Sequence, residues 1–277
     1  MHSEISSEYI EIAGTKIHYL IAGQGAPILF IHGFPTSSYL WRNIMTSLSD
    51  KFQVIAIDLP GYGKSDKNIE DSFSFRYYNR ILTGFLDHLN LDHITLGVHD
   101  LGGPIGLYWM VQNMERVHQL ILFNTLVFPQ FSWAVKLFAL ATVLPGIRDW
   151  LTSPKGIKKA IYFGVYRKDK ITADVIQHYQ SPFEDMKSRK VLLKSVQRLS
   201  LKGFSEIERK LPSFKGPVQI IYGENDKILP KVGATMKRVQ GILSQANIIS
   251  IPDCGHFLQE DAPDKISATI TAFMGGQ

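Results

Sequence analysis

Short apolar runs alternate with longer helix-like stretches along most of the chain. Residues 9–21 alternate between apolar and polar around Ala13-Gly14, which predicts a β-hairpin, and 27–31 has the length and continuity of a buried strand. A helix is expected from about Ser38, a strand over 53–57 and a long helix over 77–89. The apolar runs 93–96, 119–123, 218–222 and 247–251 read as further strands, and 104–110 and 261–274 as helices. Strands alternating with helices predict an α/β fold: a mostly parallel central sheet covered by helices on both faces, with functional residues at the carboxyl ends of its strands.

Residues 127–212 break that rhythm. They are helix-like throughout, punctuated at Pro145-Gly146, Ser153-Pro154-Lys155-Gly156 and Ser181-Pro182. The expected organisation is therefore a core formed by 1–126 and 213–277, with a helical cap or lid at 127–212 inserted over the catalytic face. Within it, 133–144 is apolar on nearly all sides yet too short to span a bilayer, so a buried cap helix or the wall of an apolar substrate tunnel is expected, with interfacial lipid contact as the lesser alternative.

Composition narrows the class. With 277 residues, 45% hydrophobic and 20% charged, the chain has the balance of an ordinary globular protein. One cysteine, Cys254, excludes an internal disulfide, and no histidine pair or carboxylate run has metal-ligand spacing, so neither metal nor cofactor is expected. Residues 1–8 lack the basic and apolar regions of a secretory signal, which makes the cytoplasm the expected location. Charge is unevenly divided: 127–217 carries 17 Lys and Arg against 7 Asp and Glu, the rest of the chain 13 against 18. A solvated lid surface is the preferred reading of that basic segment, with attraction of anionic substrates or contact with an anionic membrane as alternatives. Nucleic-acid binding is not expected, because no recognised module is present.

The chemistry centres on Asp100. It sits in Gly97-Val98-His99-Asp100-Leu101-Gly102-Gly103-Pro104, between a strand-like and a helix-like run, where a sharp turn flanked by small residues would present a nucleophile. A serine there would attack acyl carbonyls, whereas a carboxylate can displace a leaving group from saturated carbon and form an ester that water later cleaves. Two further residues follow strand-like runs: Asp226 in Gly223-Glu224-Asn225-Asp226 and His256 in Pro252-Asp253-Cys254-Gly255-His256. The chain order is nucleophile, acid, base. Asp58 is expected to cap its own turn, His32 to shape the turn that carries Phe34, and His99 to pack beside the turn at Asp100.

With these stretches in view, and with His32-Gly33-Phe34-Pro35, the run from Thr36 to Asn43, Asp58-Leu59-Pro60-Gly61-Tyr62-Gly63-Lys64-Ser65 and the run from Gly255 to Asp261, the chain resembles the haloalkane dehalogenase and epoxide hydrolase branch of the α/β-hydrolase superfamily over nearly its whole length. The resemblance implies an α/β-hydrolase fold with an inserted cap, and a cofactor-independent hydrolase acting on a small, mostly apolar electrophile. Asp100 would form the ester, His256 would activate water, and Asp226 would orient His256. The backbone N–H groups of Phe34 and Leu101 would form the oxyanion hole.

Two departures concern the substrate. Haloalkane dehalogenases usually grip the halide with a tryptophan after the nucleophile and an asparagine after His-Gly or a cap tryptophan; here Leu101 and Phe34 offer no side-chain donor, and Trp133 and Trp150 are the cap candidates. Epoxide hydrolases protonate the opening ring with cap tyrosines, for which Tyr162, Tyr166 and Tyr179 are the candidates, since the late cap segment 193–198 has none. A haloalkane, an epoxide and a strained lactone all stay open as substrates. A non-catalytic small-molecule binding protein on the same fold is the alternative of another class.

Overall fold

The computed structural model describes residues 4–275; residues 1–3 of the stretch read for a leader lie outside it. β1 (Ser6–Ile12) and β2 (Thr15–Ala22) pair antiparallel across Ala13 and Gly14, whose φ angles of 50° and 78° are those of a two-residue hairpin turn. The later apolar runs form β3 (Pro27–Ile31), β4 (Gln53–Ile57), β5 (Ile94–Asp100), β6 (Val117–Thr125), β7 (Val218–Gly223) and β8 (Ala246–Ile251). The sheet order is β1-β2-β4-β3-β5-β6-β7-β8, antiparallel as far as β4 and parallel beyond it. Parallel strands covered on both faces must be apolar on both sides, and β5 is accordingly buried from end to end.

Helices α1 (Arg42–Leu48), α2 (Phe75–His88) and α3 (Gly102–Met110) connect the first strands. Among the described residues, the connection from β6 to β7 contains no strand. It consists of α4 (Trp133–Ala141), α5 (Ile147–Leu151), α6 (Pro154–Gly164), α7 (Ala173–Gln180), α8 (Met186–Gln197) and α9 (Leu201–Lys210), with short 3-10 turns between them. Most of these begin at a side chain that accepts an amide of the first turn: Ser132, Ser153, Thr172, Asp185 and Ser200. α10 (Val232–Ile242) joins β7 to β8, and α11 (Leu258–Asp261) and α12 (Pro263–Gly275) follow. α1 packs against α12 and α2 against α3, so helices cover both faces of the sheet.

The expectation of a buried helix at 133–144 needs correction. α4 has no fully buried residue; its inner side rests Phe138 on Phe34, with ring centroids 5.2 Å apart, while Trp133, Leu137 and Leu140 are exposed.

The close seating of α3 on the sheet yields a prediction. A Cβ at Gly106 would lie 2.6 Å from Cγ1 of Val98, a stiff β-branched side chain in the middle of β5. Gly106→Ala gains about 1 kcal/mol of helix propensity but incurs overpacking of about 1–3 kcal/mol, so a net loss of about 1 kcal/mol is expected. Urea unfolding measures it, and an unchanged or raised midpoint contradicts this packing.

Candidate active site

Asp100 is the last residue of β5 and has φ of 49°, a left-handed backbone that a bulky residue adopts only when its surroundings hold it there. Thr125 helps to hold it by donating its hydroxyl to the Asp100 carbonyl at 2.6 Å. The side chain is held as firmly. The Phe34 N–H donates to Oδ2 at 2.7 Å, and the Leu101 N–H also bonds the carboxylate. This approach requires glycine at position 33, where a Cβ would lie 2.4 Å from Oδ2. His32 fixes the same loop in a neutral form, since Nδ1–H donates to the Gly33 carbonyl while Nε2 accepts from the Leu59 N–H. Burial holds its pKa down. Asp58 caps its turn, taking bonds from Ser38 N–H and Lys64 N–H and from His18, which together overcome burial and hold its pKa at about 2.

The loops after β7 and β8 bring Asp226 and His256 to the same end of the sheet. His256 Nδ1–H donates to Asp226 Oδ2 at 2.8 Å, and Nε2 lies 3.5 Å from Asp100 Oδ1 with no hydrogen-bond partner among the described residues. Asp226 is saturated: Oδ1 accepts from the Ile228 and Leu229 N–H groups, and Oδ2 also accepts from Asn124 Nδ2 at 2.7 Å. Asn124 thus orients Asp226 through its side-chain amide. His99 sits behind the cluster and donates Nε2–H to the His256 carbonyl at 2.9 Å. Burial and the neighbouring His256 push the His99 pKa down to about 3, so it is neutral.

Burial alone would raise both aspartates and lower the histidine. Mutual attraction wins. His256 is raised to about 10 by Asp226 and Asp100, and the carboxyls fall below 3.8 with help from the donors just named. Near neutral pH the cluster is therefore two carboxylates sharing one imidazolium.

Asp100 opens into a cavity of about 990 Å³ whose wall near the carboxylate is Phe34, Pro35, Leu101, Leu126, Phe138 and Leu229. Trp133, Trp150 and Tyr162 also line it. The tyrosine candidates need correction as proton donors. Tyr162 gives its hydroxyl to the Ile171 carbonyl at 3.3 Å, Tyr179 is buried with its hydroxyl on Glu260 at 2.5 Å, and neither Tyr166 nor Tyr179 lines the cavity. Glu260 is in turn clamped by both terminal nitrogens of Arg42, at 2.7 and 2.8 Å. Asp261 accepts from the Gly255, Tyr166 and Arg167 N–H groups, tying the His256 loop to the end of α6. Neither link was visible in the sequence, where only the similarity of the two runs stood out. Among the described residues no three His, Cys, Asp or Glu side chains are grouped to hold a metal.

Comparison with known proteins agrees with this architecture. A family model described as alpha/beta hydrolase fold matches residues 26–263. The chain belongs to the α/β hydrolase family. Within that family it is 33% identical to a cis-3-alkyl-4-alkyloxetan-2-one decarboxylase of Shewanella oneidensis, over 94% of this chain and 86% of that protein. It is 28% identical to haloalkane dehalogenase 2 of Mycobacterium bovis, over 97% of this chain and 95% of that one. The fold is also that of haloalkane dehalogenase DbeA from Bradyrhizobium elkani, with a TM-score of 0.86, 22% identity, and coverage of 99% of this chain and 98% of that one. These relatives place the chain among the enzymes of the family.

The charge sharing yields a prediction. Replacing Asp100 by asparagine removes one of the two charges that raise His256, so its pKa, about 10 in the intact cluster, should drop by at least about one unit, the shift that corresponds to about 1.4 kcal/mol. The His256 contribution to stability is complete below the reference value of 6.5 and disappears as pH rises through about 10, while the aspartate contributions disappear below their reference value of 3.8. Side-chain NMR titration measures the shift; an unmoved His256 pKa contradicts the shared-charge cluster.

Proposed function

We propose that Asp100 opens an apolar substrate at a saturated carbon and carries it as an alkyl ester, with residues 127–212 acting as a cap over the reaction. One observation supports this above others: the Phe34 N–H holds Oδ2, the Leu101 N–H also bonds the carboxylate, and Oδ1 lies 3.5 Å from His256 Nε2 in a residue that lines the cavity. The carboxylate is thus preorganised, and its low pKa keeps it ionised for attack. His256 in its charged form stabilises the Asp100 carboxylate whenever it is the leaving group. When Asp100 is esterified its charge disappears, the His256 pKa falls, and the imidazole becomes able to accept a proton from water.

The fate of the leaving group selects the substrate class. A departing halide would meet the side chains of Leu101 and Phe34, neither of which offers a hydrogen-bond donor, so any side-chain donor would have to come from elsewhere in the lining, from Trp133, Trp150 or the lysines. An opening epoxide would need an acid, and Tyr162 and Tyr179 have committed their hydroxyls elsewhere. A β-lactone needs neither. Attack of Oδ1 on the ring carbon bearing oxygen forms the ester bond and breaks the ring C–O bond, leaving a carboxylate on the adjacent carbon. That carboxylate is poorly solvated in an apolar pocket, which favours loss of CO2, because charge disperses as the C–C bond breaks. The released electron pair forms the alkene and expels the Asp100 carboxylate, so no water or proton is consumed. The reading agrees with the activity named for the Shewanella relative. Ester hydrolysis by water is the second route, favoured by the unpartnered Nε2 of His256 beside Oδ1.

A panel of a cis-3,4-dialkyloxetan-2-one, a primary alkyl bromide and an alkyl epoxide tests this, with alkene, bromide and diol as readouts. Alkene from the lactone should dominate, and Asp100→Ala should lower kcat/KM at least about a thousandfold. Faster bromide or diol formation overturns the lactone reading, and saturable binding without turnover of any of the three supports a binding protein instead.

The missing donors give a directional prediction. Phe34→Asn with Leu101→Trp adds two side-chain N–H groups, each worth at most about 2.7–4 kcal/mol in a preorganised site and less when grafted. Bromide release should rise and alkene formation should fall, since the new donors solvate the carboxylate that must lose CO2. A parallel rise in both rates contradicts the role assigned to desolvation.

A further inference from the structure

The apolar exposure of the fold is concentrated in one place. Among the described residues twelve large hydrophobic side chains are exposed, and nine of them lie between Trp133 and Tyr166. Trp133 is 64% exposed, Phe163 55% and Trp150 49%. α4 has a single charge, Lys136, in nine residues and no fully buried position, so nothing in the fold covers its outer side. Scattered exposed hydrophobic residues are normal, but a patch of this size on a helix pair marks an interaction surface.

Two further observations say what fits it. First, the patch is continuous with the mouth of the Asp100 cavity, which Trp133, Leu137, Trp150 and Phe163 line. Second, apart from Asp100 every charged residue lining that cavity is a lysine: Lys155, Lys158, Lys159, Lys168 and Lys227, all exposed. Exposed apolar side chains that include two indoles, beside a cavity lining that carries five exposed lysines, match the layers of a bilayer surface, with acyl chains below, an interfacial belt suited to tryptophan, and phosphates above. A second copy of this chain would bring the two lysine rims face to face. No helix among the described residues is long and apolar enough to cross a membrane, so the contact would lie on the surface.

We propose that the face formed by α4 and α5 and the segment between them docks on an anionic lipid surface, with the cavity mouth turned toward the bilayer. An apolar substrate dissolved in the membrane would then enter without crossing water, and the lysines would draw the protein down to phosphate-bearing headgroups.

The protein reports on this directly. Trp41 and Trp109 are buried, so Trp133 and Trp150 are the tryptophans whose fluorescence can respond to lipid. Phosphatidylcholine vesicles containing phosphatidylglycerol should shift the emission to the blue and carry the chain down on sedimentation, more weakly as salt is raised, and pure phosphatidylcholine vesicles should do so far less. Leu140→Asp with Ile147→Asp, neither of which lines the cavity, should weaken vesicle binding at least about tenfold while circular dichroism shows an unchanged fold. Absence of binding to anionic vesicles overturns the proposal, as does equal binding by the double variant. A dimer in sedimentation equilibrium that the same substitutions dissolve also overturns it and assigns the face to a second copy. The readout is binding alone, so its outcome is separate from that of the reaction proposed for Asp100.

Discussion

The placement of one buried carboxylate constrains most of what surrounds it. Asp100 ends a fully buried strand in a left-handed conformation, and burial of its charge is tolerable only because two backbone N–H groups and an imidazolium receive it. Each receiver imposes a further requirement. The Phe34 N–H demands a loop that passes so close that position 33 has room only for hydrogen, and His32 pins that loop to the turn at Leu59. The imidazolium demands Asp226, which needs the amides of Ile228 and Leu229 and the side chain of Asn124. Removing any one partner would leave a charge stranded in an apolar interior, which costs more than the pair contributes when complete.

The helical insertion is joined to this core by carboxylates of a different kind. Glu260 gathers Arg42 from the core and Tyr179 from the insertion, and Asp261 gathers amides from both sides. These contacts lie shortly after His256 in sequence, so the segment that carries this histidine is also tied to the helical connection between β6 and β7. α4 has no fully buried residue and meets the core through Val135 and through Phe138 on Phe34. Phe34, whose N–H holds Asp100, therefore also supports the apolar helix that lines the pocket.

Strands were legible in the sequence because a parallel sheet covered on both faces writes itself as continuous apolar runs; 27–31 and 53–57 match β3 and β4 residue for residue. The positions of Asp100, Asp226 and His256 were legible because each stands at or just beyond the end of such a run. What could not be read was the partner of a polar group across the fold. Tyr179 looked like a pocket residue until its hydroxyl was found on Glu260, 81 positions away, and Asn124 gains its role only through the amide it places on Asp226. Helix α4 was legible in part: it lines the cavity as a tunnel wall would, but it is not a buried helix. An apolar stretch on all sides normally means burial, and periodicity cannot separate a buried helix from one that faces a cavity on one side and is left uncovered on the other.

The covalent role of Asp100 is the claim on which the mechanism stands. Replacing His256 by phenylalanine removes the cation that stabilises the departing aspartate and the base that would activate water, so an ester formed at Asp100 should persist. Intact-protein mass spectrometry of His256→Phe, acid-quenched after exposure to a cis-3,4-dialkyloxetan-2-one, should show the mass of one whole lactone added, located on the peptide containing Asp100 and missing from the same protein with Asp100→Ala. An adduct on any other residue, or consumption of the lactone without an adduct at any time of quenching, would contradict the account.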